Sequence, residues 1–320
     1  GAIPIPIIIM EFGLKSGKTE ISIELAKVAG GEIISADSMQ VYKQMDIGTA
    51  KIKKEQMQDV THYMIDEWNP DEEFNVMIFQ KRVKEIMEDI YNRGKIPILV
   101  GGTGFYIQAV LNDIAFTKEK QGDEIRADLQ NLAKEKGASY LHHELQKVDK
   151  ESAEAIHPNN IKRVIRALEY FQSTGQKFSD HNKEERQKGS PYNFLYLVLT
   201  MNRKVLYERI DKRVDQMMEE GLVKEVKQLL DAGYSRNLVS MQGLGYKEIA
   251  SALFKECTME EAVYRLKRDT RHFAKRQMTW FRRERDVAMI NKDNFSNNHE
   301  IVNYIMKLAV EKGICSCREG

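Results

Sequence analysis

Three consecutive segments decide the fold: Ile7-Ile-Ile-Met10, then Phe12-Gly-Leu-Lys-Ser-Gly-Lys-Thr19, then Glu20-Ile-Ser-Ile-Glu-Leu-Ala-Lys27. An apolar run, a glycine-containing loop and a helix-patterned segment, in that order, are the context of a phosphate-binding P-loop. Backbone N–H groups of such a loop and of the helix N-terminus point at an anion, and the helix dipole favours negative charge there. Lys18 would reach the phosphates as a point charge, and the Thr19 hydroxyl would hold Mg²⁺. In the pattern G-x-x-x-x-G-K-[ST] the first glycine belongs at Phe12, and this chain carries one a place later, at Gly13. Phenylalanine tolerates positive φ poorly, so the displaced glycine implies a different turn. An ordinary strand-turn-helix with a surface lysine is the competing reading.

Working outward, Pro4 and Pro6 would each delete a ladder donor toward the same neighbour, so the first strand is expected to begin near Ile7. A second strand, Gly31-Glu-Ile-Ile-Ser-Ala-Asp37, ends in a carboxylate. Segment 74–93 has helical spacing and stops at Gly94, and Ile96-Pro-Ile-Leu-Val100 reads as a buried strand breaking into Gly101-Gly-Thr-Gly104. Strands alternating with helices imply an α/β fold, a P-loop-containing parallel-sheet core whose ligands sit at the carboxyl ends of the strands. The P-loop, Asp37 and Thr103 all fall at that edge.

From about Asp113 the character changes. Residues 118–188 have helical spacing and no convincing strand, and a β pattern returns at Asn193-Phe-Leu-Tyr-Leu-Val-Leu-Thr200. Segments 204–231, 242–255 and 259–285 read as helices, Val287–Ile290 as a last short strand and 296–312 as a final helix. The expected organisation is a discontinuous core, 1–113 and 190–291, interrupted by an all-helical insertion domain, 114–189, and followed by a C-terminal helix and tail, 292–320.

A hydrophobic content of 42% and a charged content of 30% are those of an ordinary globular protein. A net charge of +1 gives no global case for nucleic acid, so any basic surface must arise by local segregation. Cys257, Cys315 and Cys317 are too few for a disulfide framework, which suggests a reducing compartment. No apolar run approaches the ~18 residues that span a bilayer, and the first residues lack a signal-peptide pattern. The expectation is a cytoplasmic protein without membrane contact.

Several side chains carry possible chemistry. Asp37 could bind metal through water or act as a general base, or it could simply close an Asx-turn or cap a helix. Val100 is followed by Gly101 and Gly102, so the acid that ends this strand in ATP-hydrolysing P-loop proteins is missing. Thr103 could bond a phosphate or ligand, or sit in a bare glycine turn. Arg209 and Arg213 share a helix face and could clamp a diphosphate, with salt bridges to Glu208 or Asp211 as the alternative. Two basic stretches stand out: Lys162, Arg163 and Arg166, and the run from Arg265 to Arg285 with Phe273, Trp280 and Phe281 among its cations. Cations track a phosphate backbone and aromatics stack on unpaired bases, whereas a solvated helix face is the usual alternative.

Together these segments resemble the tRNA dimethylallyltransferase (tRNA isopentenyltransferase) family. The resemblance is carried by Asp37-Ser-Met-Gln-Val-Tyr42, Met45-Asp-Ile-Gly-Thr-Ala-Lys51, Gly101-Gly-Thr-Gly-Phe-Tyr106, His157-Pro-Asn-Asn160, Arg166-Ala-Leu-Glu169, Gln242-Gly-Leu-Gly-Tyr-Lys247 and Ala274-Lys-Arg-Gln-Met-Thr-Trp-Phe-Arg282. It implies transfer of a dimethylallyl group from dimethylallyl diphosphate to N6 of the adenine immediately 3′ of the anticodon in tRNA, with Mg²⁺; a monomer is the expectation for the chain. By similarity, Asp37 is the general base and Arg213 contacts the diphosphate. Phe12, Gly13, Leu14, Lys15, Ser16, Gly17, Lys18 and Thr19 form the diphosphate loop, with Thr19 on the metal. Asp37, Ser38, Met39, Gln40, Thr103 and Arg126 would touch tRNA. So would Lys162, Arg163, Val164, Ile165 and Arg166, and Gln242, Gly243, Leu244, Gly245, Tyr246 and Lys247, while the insertion would clasp the anticodon stem-loop.

The family reads Gly-Pro-Thr where this chain has Phe12, Gly13 and Leu14, with Glu11 just before. Leu14 removes a hydroxyl near the donor, and Glu11 adds charge beside an anion site. Two other functions follow from single features: a catalytically impaired tRNA-binding protein with an altered P-loop, or, from Gly17-Lys-Thr19 alone, an ATP-dependent small-molecule kinase.

Overall fold

The computed structural model describes residues 4–12, 18–116 and 122–316. They fall into two compact units, one made of residues 1–111 and 191–320, the other of residues 112–190.

The first unit runs β1 (Pro6–Phe12), α1 (Lys18–Ala29), β2 (Gly31–Ala36), β3 (His62–Tyr63), α2 (Val76–Asn92), β4 (Ile96–Gly101) and α3 (Gly104–Leu111). The second unit holds α4 (Gly122–Lys136), α5 (Ala138–Val148), α6 (Lys150–Ala155), α7 (Ile161–Thr174) and α8 (Phe178–Gln187). The first then resumes with β5 (Asn193–Thr200), α9 (Arg203–Glu220), α10 (Leu222–Asp231), α11 (Tyr246–Leu253), α12 (Met259–Phe281), β6 (Val287–Asn291) and α13 (Asn298–Glu311).

The six strands form one sheet in the order β3-β2-β4-β1-β5-β6, every neighbouring pair parallel. Both faces are covered, which is why the strands read as nearly continuous apolar runs. Side chains alternate between two cores. Ile7, Ile9, Ile34, Leu99 and Val198 pack with α2, α3 and α9–α12, whereas Ile8, Ile33, Ile98, Val100 and Leu197 pack with α1 and α13. Through Ile301, Val302 and Ile305, α13 is thus part of this unit's core.

Two helices differ from the sequence expectation. The segment 204–231 is broken at Gly221, whose φ of 104° ends α9 and lets α10 leave at a new angle. The segment 242–255 is helical only from Tyr246; residues 240–242 form a 3₁₀ turn, and Gly245 with φ 95° makes the entry.

The helical unit has its own core of Leu129, Leu141, Leu145, Val164, Ala167 and Leu168. Among its described residues there is no strand. Asp149 is its polar centre. It is buried, and its carboxylate accepts from the N–H and hydroxyl of Ser152 in α6 and of Ser179 in α8. Burial pushes this carboxyl up, but those four bonds outweigh it and hold it below the usual range.

Candidate active site

The loops that carry the chemistry leave the sheet at one edge. Glu11 of β1, Gly101 of β4 and Ala36 of β2 lie in one row of the register. The connection from β1 runs over β4 to β2, and the one from β4 runs over β1 to β5. The helices they lead into, α1 and α3, pack on opposite faces of the sheet, so the two loops diverge at the β1/β4 boundary and open a crevice there. Gly101 is a glycine for steric reasons, since a Cβ would lie 2.4 Å from the Ala36 carbonyl oxygen.

Asp37 follows β2 directly. Its Oδ1 accepts from the N–H groups of Met39 at 2.8 Å and Gln40 at 3.3 Å. The Asx-turn and the reactive carboxylate are therefore compatible: the turn holds a carboxylate that also lines a cavity. Next to it, the Ser38 N–H donates to Thr103 Oγ1 at 3.2 Å, which ties the Asp37 turn to the glycine turn after β4. Helix α12 clamps that turn from behind. Gln277 Nε2 donates to the Gly102 carbonyl at 2.6 Å, and Trp280 lies so close to Gly104 that a Cβ there would be 2.4 Å from its Nε1. Gln277 Oε1 is buried and has no hydrogen-bond partner among the described residues.

Two cavities meet at this edge. A larger one of about 710 Å³ is lined by Asp37, Thr103, Gly48, Thr49, Arg209, Gln242, Gly243, Leu244, Tyr246 and Gln277. A smaller one of about 350 Å³ is lined by Thr19, Ser35, Gln40, Lys51 and His62. Arg213 and Gln216 line both, and the Arg213 guanidinium donates to Gln216 Oε1 at 3.1 Å. The ion pairs considered for Arg209 and Arg213 do not form among the described residues. Asp211 instead accepts from Arg271 at 2.6 Å, and Asp215 pairs with Lys267 at 2.7 Å. Asp211 and Asp215 of α9 are thus spent on α12, while Arg209 and Arg213 line the cavities.

The other expected site residues separate into several groups. Phe12 ends β1 and Lys18 begins α1, but their side chains, and Gly13, Leu14, Lys15, Ser16 and Gly17 entirely, lie outside the described residues. Gln40 is buried and structural: it accepts from the Ser35 hydroxyl and donates to the carbonyls of Thr49 and Ala50. Met39 packs on Gly243. Gln242 and Lys247 are exposed, whereas Tyr246 is fully buried and donates its hydroxyl to Glu225. In the helical unit Lys162, Arg163 and Arg166 are exposed, with Arg166 over the Phe178 ring. Val164 and Ile165 do not share that surface: at 0% and 6% exposure they belong to the core, because α7 turns its apolar stripe inward. Arg126 is held by both oxygens of Glu169, at 3.0 and 2.9 Å.

Sequence reasoning missed Glu225 and Gln277. Both carried a signal, because each is a polar residue at helical spacing within an apolar stripe: Leu222, Val226 and Leu229 around Glu225, Ala274 and Phe281 around Gln277.

The family model described as IPP transferase matches residues 40–284. The tRNA dimethylallyltransferase of Lachnoclostridium phytofermentans is 56% identical over 97% of this chain and 99% of its own length. That of Acetivibrio thermocellus is 50% identical over 90% of this chain and 92% of its own. Among solved structures, the tRNA delta(2)-isopentenylpyrophosphate transferase of Staphylococcus epidermidis is 42% identical with a TM-score of 0.71, covering 96% of this chain and 99% of that one. A eukaryotic dimethylallyltransferase captured acting on tRNA is 27% identical with a TM-score of 0.80, over 97% of this chain and 84% of that one. The chain belongs to the IPP transferase family, the tRNA dimethylallyltransferases.

Proposed function

We propose that this protein transfers a dimethylallyl group from dimethylallyl diphosphate to N6 of the adenine immediately 3′ of the anticodon in tRNA, releasing diphosphate. The observation that carries the reading is the pair of cavities sharing Arg213 and Gln216, one lined by Asp37 and Thr103 and the other by Thr19. Acceptor and donor then approach a common wall from two sides. The N6 lone pair, delocalised into the purine ring, forms the new C–N bond while the allylic C–O bond breaks. Asp37 takes the proton from N6, and Arg213 takes up charge developing on the departing diphosphate. The adenine must leave its stack to enter the larger cavity.

Mg²⁺ fits the residues present. Thr19 and the diphosphate offer only hard oxygens, and this ion takes few protein ligands while keeping several waters. Among the described residues no group of three or more His, Cys, Asp or Glu side chains is placed to hold a metal, so the donor's own oxygens would complete the set. When bound, the ion supplies positive charge to the leaving group. Lys162 and Arg163 of α7 and the cations at the end of α12 are surfaces for the RNA backbone. No helix among the described residues is long and apolar enough to cross a membrane.

The test is transfer of labelled dimethylallyl diphosphate to an unmodified anticodon stem-loop RNA with Mg²⁺ present. Asp37→Asn is expected to lower the single-turnover rate by about 10²–10⁴-fold, as for loss of a general base, with RNA affinity preserved. No transfer by the wild type at high enzyme concentration overturns the reading. Restoring Phe12→Gly, Gly13→Pro and Leu14→Thr together tests the impaired-enzyme alternative, which requires a large gain.

A further inference from the structure

Glu225 is a carboxylate in the interior of the first unit, 8% exposed, and the chemistry proposed above does not use it. It stands on the apolar face of α10 between Leu222 and Leu229, both buried. Its oxygens point at a loop far away in sequence. Oε2 accepts from the Ile47 N–H at 2.8 Å, and Oε1 accepts from the N–H groups of Ile47 at 3.1 Å and Gly48 at 3.4 Å. Oε1 also accepts the Tyr246 hydroxyl. The Tyr246 ring closes on the same spot from the other side, since a Cβ on Gly48 would lie 2.6 Å from its edge. Two helices, α10 and α11, thus grip one peptide segment through a buried anion and an aromatic ring.

That segment is connected to the base. Gly48 and Thr49 form a wall of the larger cavity. The carbonyls of Thr49 and Ala50 accept from Gln40 Nε2, and the Gln40 N–H donates to Asp37 Oδ1. A carboxylate bonded by several N–H groups is a strong, short-range tether, because charge-assisted hydrogen bonds are about twice as strong as neutral ones. A buried charge is retained only where its bonds are complete.

We infer that Glu225, backed by Tyr246, is a positioning residue: it fixes the 46–49 segment and, through Gln40, the Asp37 carboxylate against the acceptor base. The inference rests on the prenyl-transfer reading. In its absence the peptide groups of Ile47 and Gly48 lose their acceptor, the cavity wall shifts, and the base is misplaced although no group that touches substrate has been changed. A misplacement of about 1 Å far from the chemistry costs up to about 10²-fold in rate.

The experiment compares wild type, Glu225→Leu, Glu225→Gln and Tyr246→Phe in single-turnover prenyl transfer. RNA affinity and hydrogen exchange of the 46–49 amides are measured on the same samples. Glu225→Leu is expected to lower the rate at least about tenfold, leave the RNA dissociation constant within twofold and accelerate exchange at Ile47 and Gly48. Glu225→Gln keeps a carbonyl for the Ile47 N–H, and the phenol can turn to accept from its amide, so most of the rate should return. Tyr246→Phe keeps the ring on Gly48 and removes only the hydroxyl. It is expected to lose about threefold, and carries the test if Glu225→Leu does not fold. Wild-type transfer with undiminished rates in the folded variants overturns the inference alone. Absence of transfer by the wild type overturns the functional reading instead. Equal losses in Glu225→Leu and Glu225→Gln with exchange unchanged also overturn the inference, because the tether would then not depend on an acceptor.

Discussion

The first half of α12, and its second half with the turn that follows, each carry several cations and differ in what the structure does with them. In the first half Arg265 pairs with Glu261, Lys267 with Asp215, Arg268 with Asp269 and Arg271 with Asp211. In the second half Lys275 and Arg276, with Arg283 just past the end of the helix, line an open groove with His272 and Trp280, and have no ion pair among the described residues. Two of those partners, Asp211 and Asp215, come from α9, and the other two, Glu261 and Asp269, from α12 itself. Charge density along one helix therefore does not measure the cations available to a ligand. The acids that spacing and packing bring beside each cation decide that.

The largest expected effect tests this contrast directly. Replacing Lys275, Arg276 and Arg283 together by alanine should flatten the slope of log affinity for tRNA against log salt by about 2, since each phosphate contact contributes about 0.7–0.9. The same treatment of Arg265, Lys267 and Arg268 should leave that slope in place. Equal changes measured by salt-titrated filter binding would abolish the distinction between the halves.

A second effect concerns how the free half is anchored. Gly104→Ala puts a Cβ against the Trp280 indole and should cost about 1–3 kcal/mol in denaturant unfolding. Most of that penalty should vanish in a Trp280→Ala background. Persistence of the full cost there would mean that the indole is not what Gly104 accommodates.

A third sharpens what pairing contributes when burial is deeper than on α12. Glu32 is 3% exposed. The Arg93 guanidinium, bonded to both its oxygens, holds its carboxyl down to about 2 against the upward push of burial, with Tyr63 and Lys95 adding to the pull. Because this pKa is lowered on folding, its contribution is complete above about pH 4.5 and is lost as pH falls toward 2. Glu32→Gln should therefore lower stability near neutrality and flatten the fall in stability between those pH values, as read by denaturation at a series of pH values.

The smallest effect is on the α9–α12 pairs themselves. Asp211→Asn should cost under about 1 kcal/mol, because both partners are partly exposed. It should leave Arg271 free and raise RNA affinity slightly in low salt. A loss of several kcal/mol would show that the pair is structural and not a means of withdrawing a cation from the surface.

Much of the fold was legible because its signals are local. Ile7–Met10, Ile33 and Ile34, Ile96–Val100 and Asn193–Thr200 form strands where apolar runs said they would, and Gly94 follows the end of α2 with φ 74°. The breaks in the last helices were not legible. Gly221 follows Glu219 and Glu220 in a continuous helical pattern, and an isolated glycine inside such a pattern is tolerated at a cost of about 1 kcal/mol and need not end it. The two-residue strand His62–Tyr63 is too short for any periodicity to mark it.

The site divides along the same line. That the Asp37 turn and Thr103 meet follows from element order, since residues that close successive parallel strands must emerge at one edge. That Val164, Ile165 and Tyr246 are buried, that Glu225 grips Ile47 and Gly48, and that Asp211 and Asp215 spend themselves on α12 depend on contacts between segments far apart in sequence. Motif, periodicity and element order were therefore determined by the sequence alone, because each is set within one or two turns of chain. Which charges stay free and which carboxylate holds the wall of the cavity were decided only by tertiary structure, because a side chain's partners are whatever packing brings beside it.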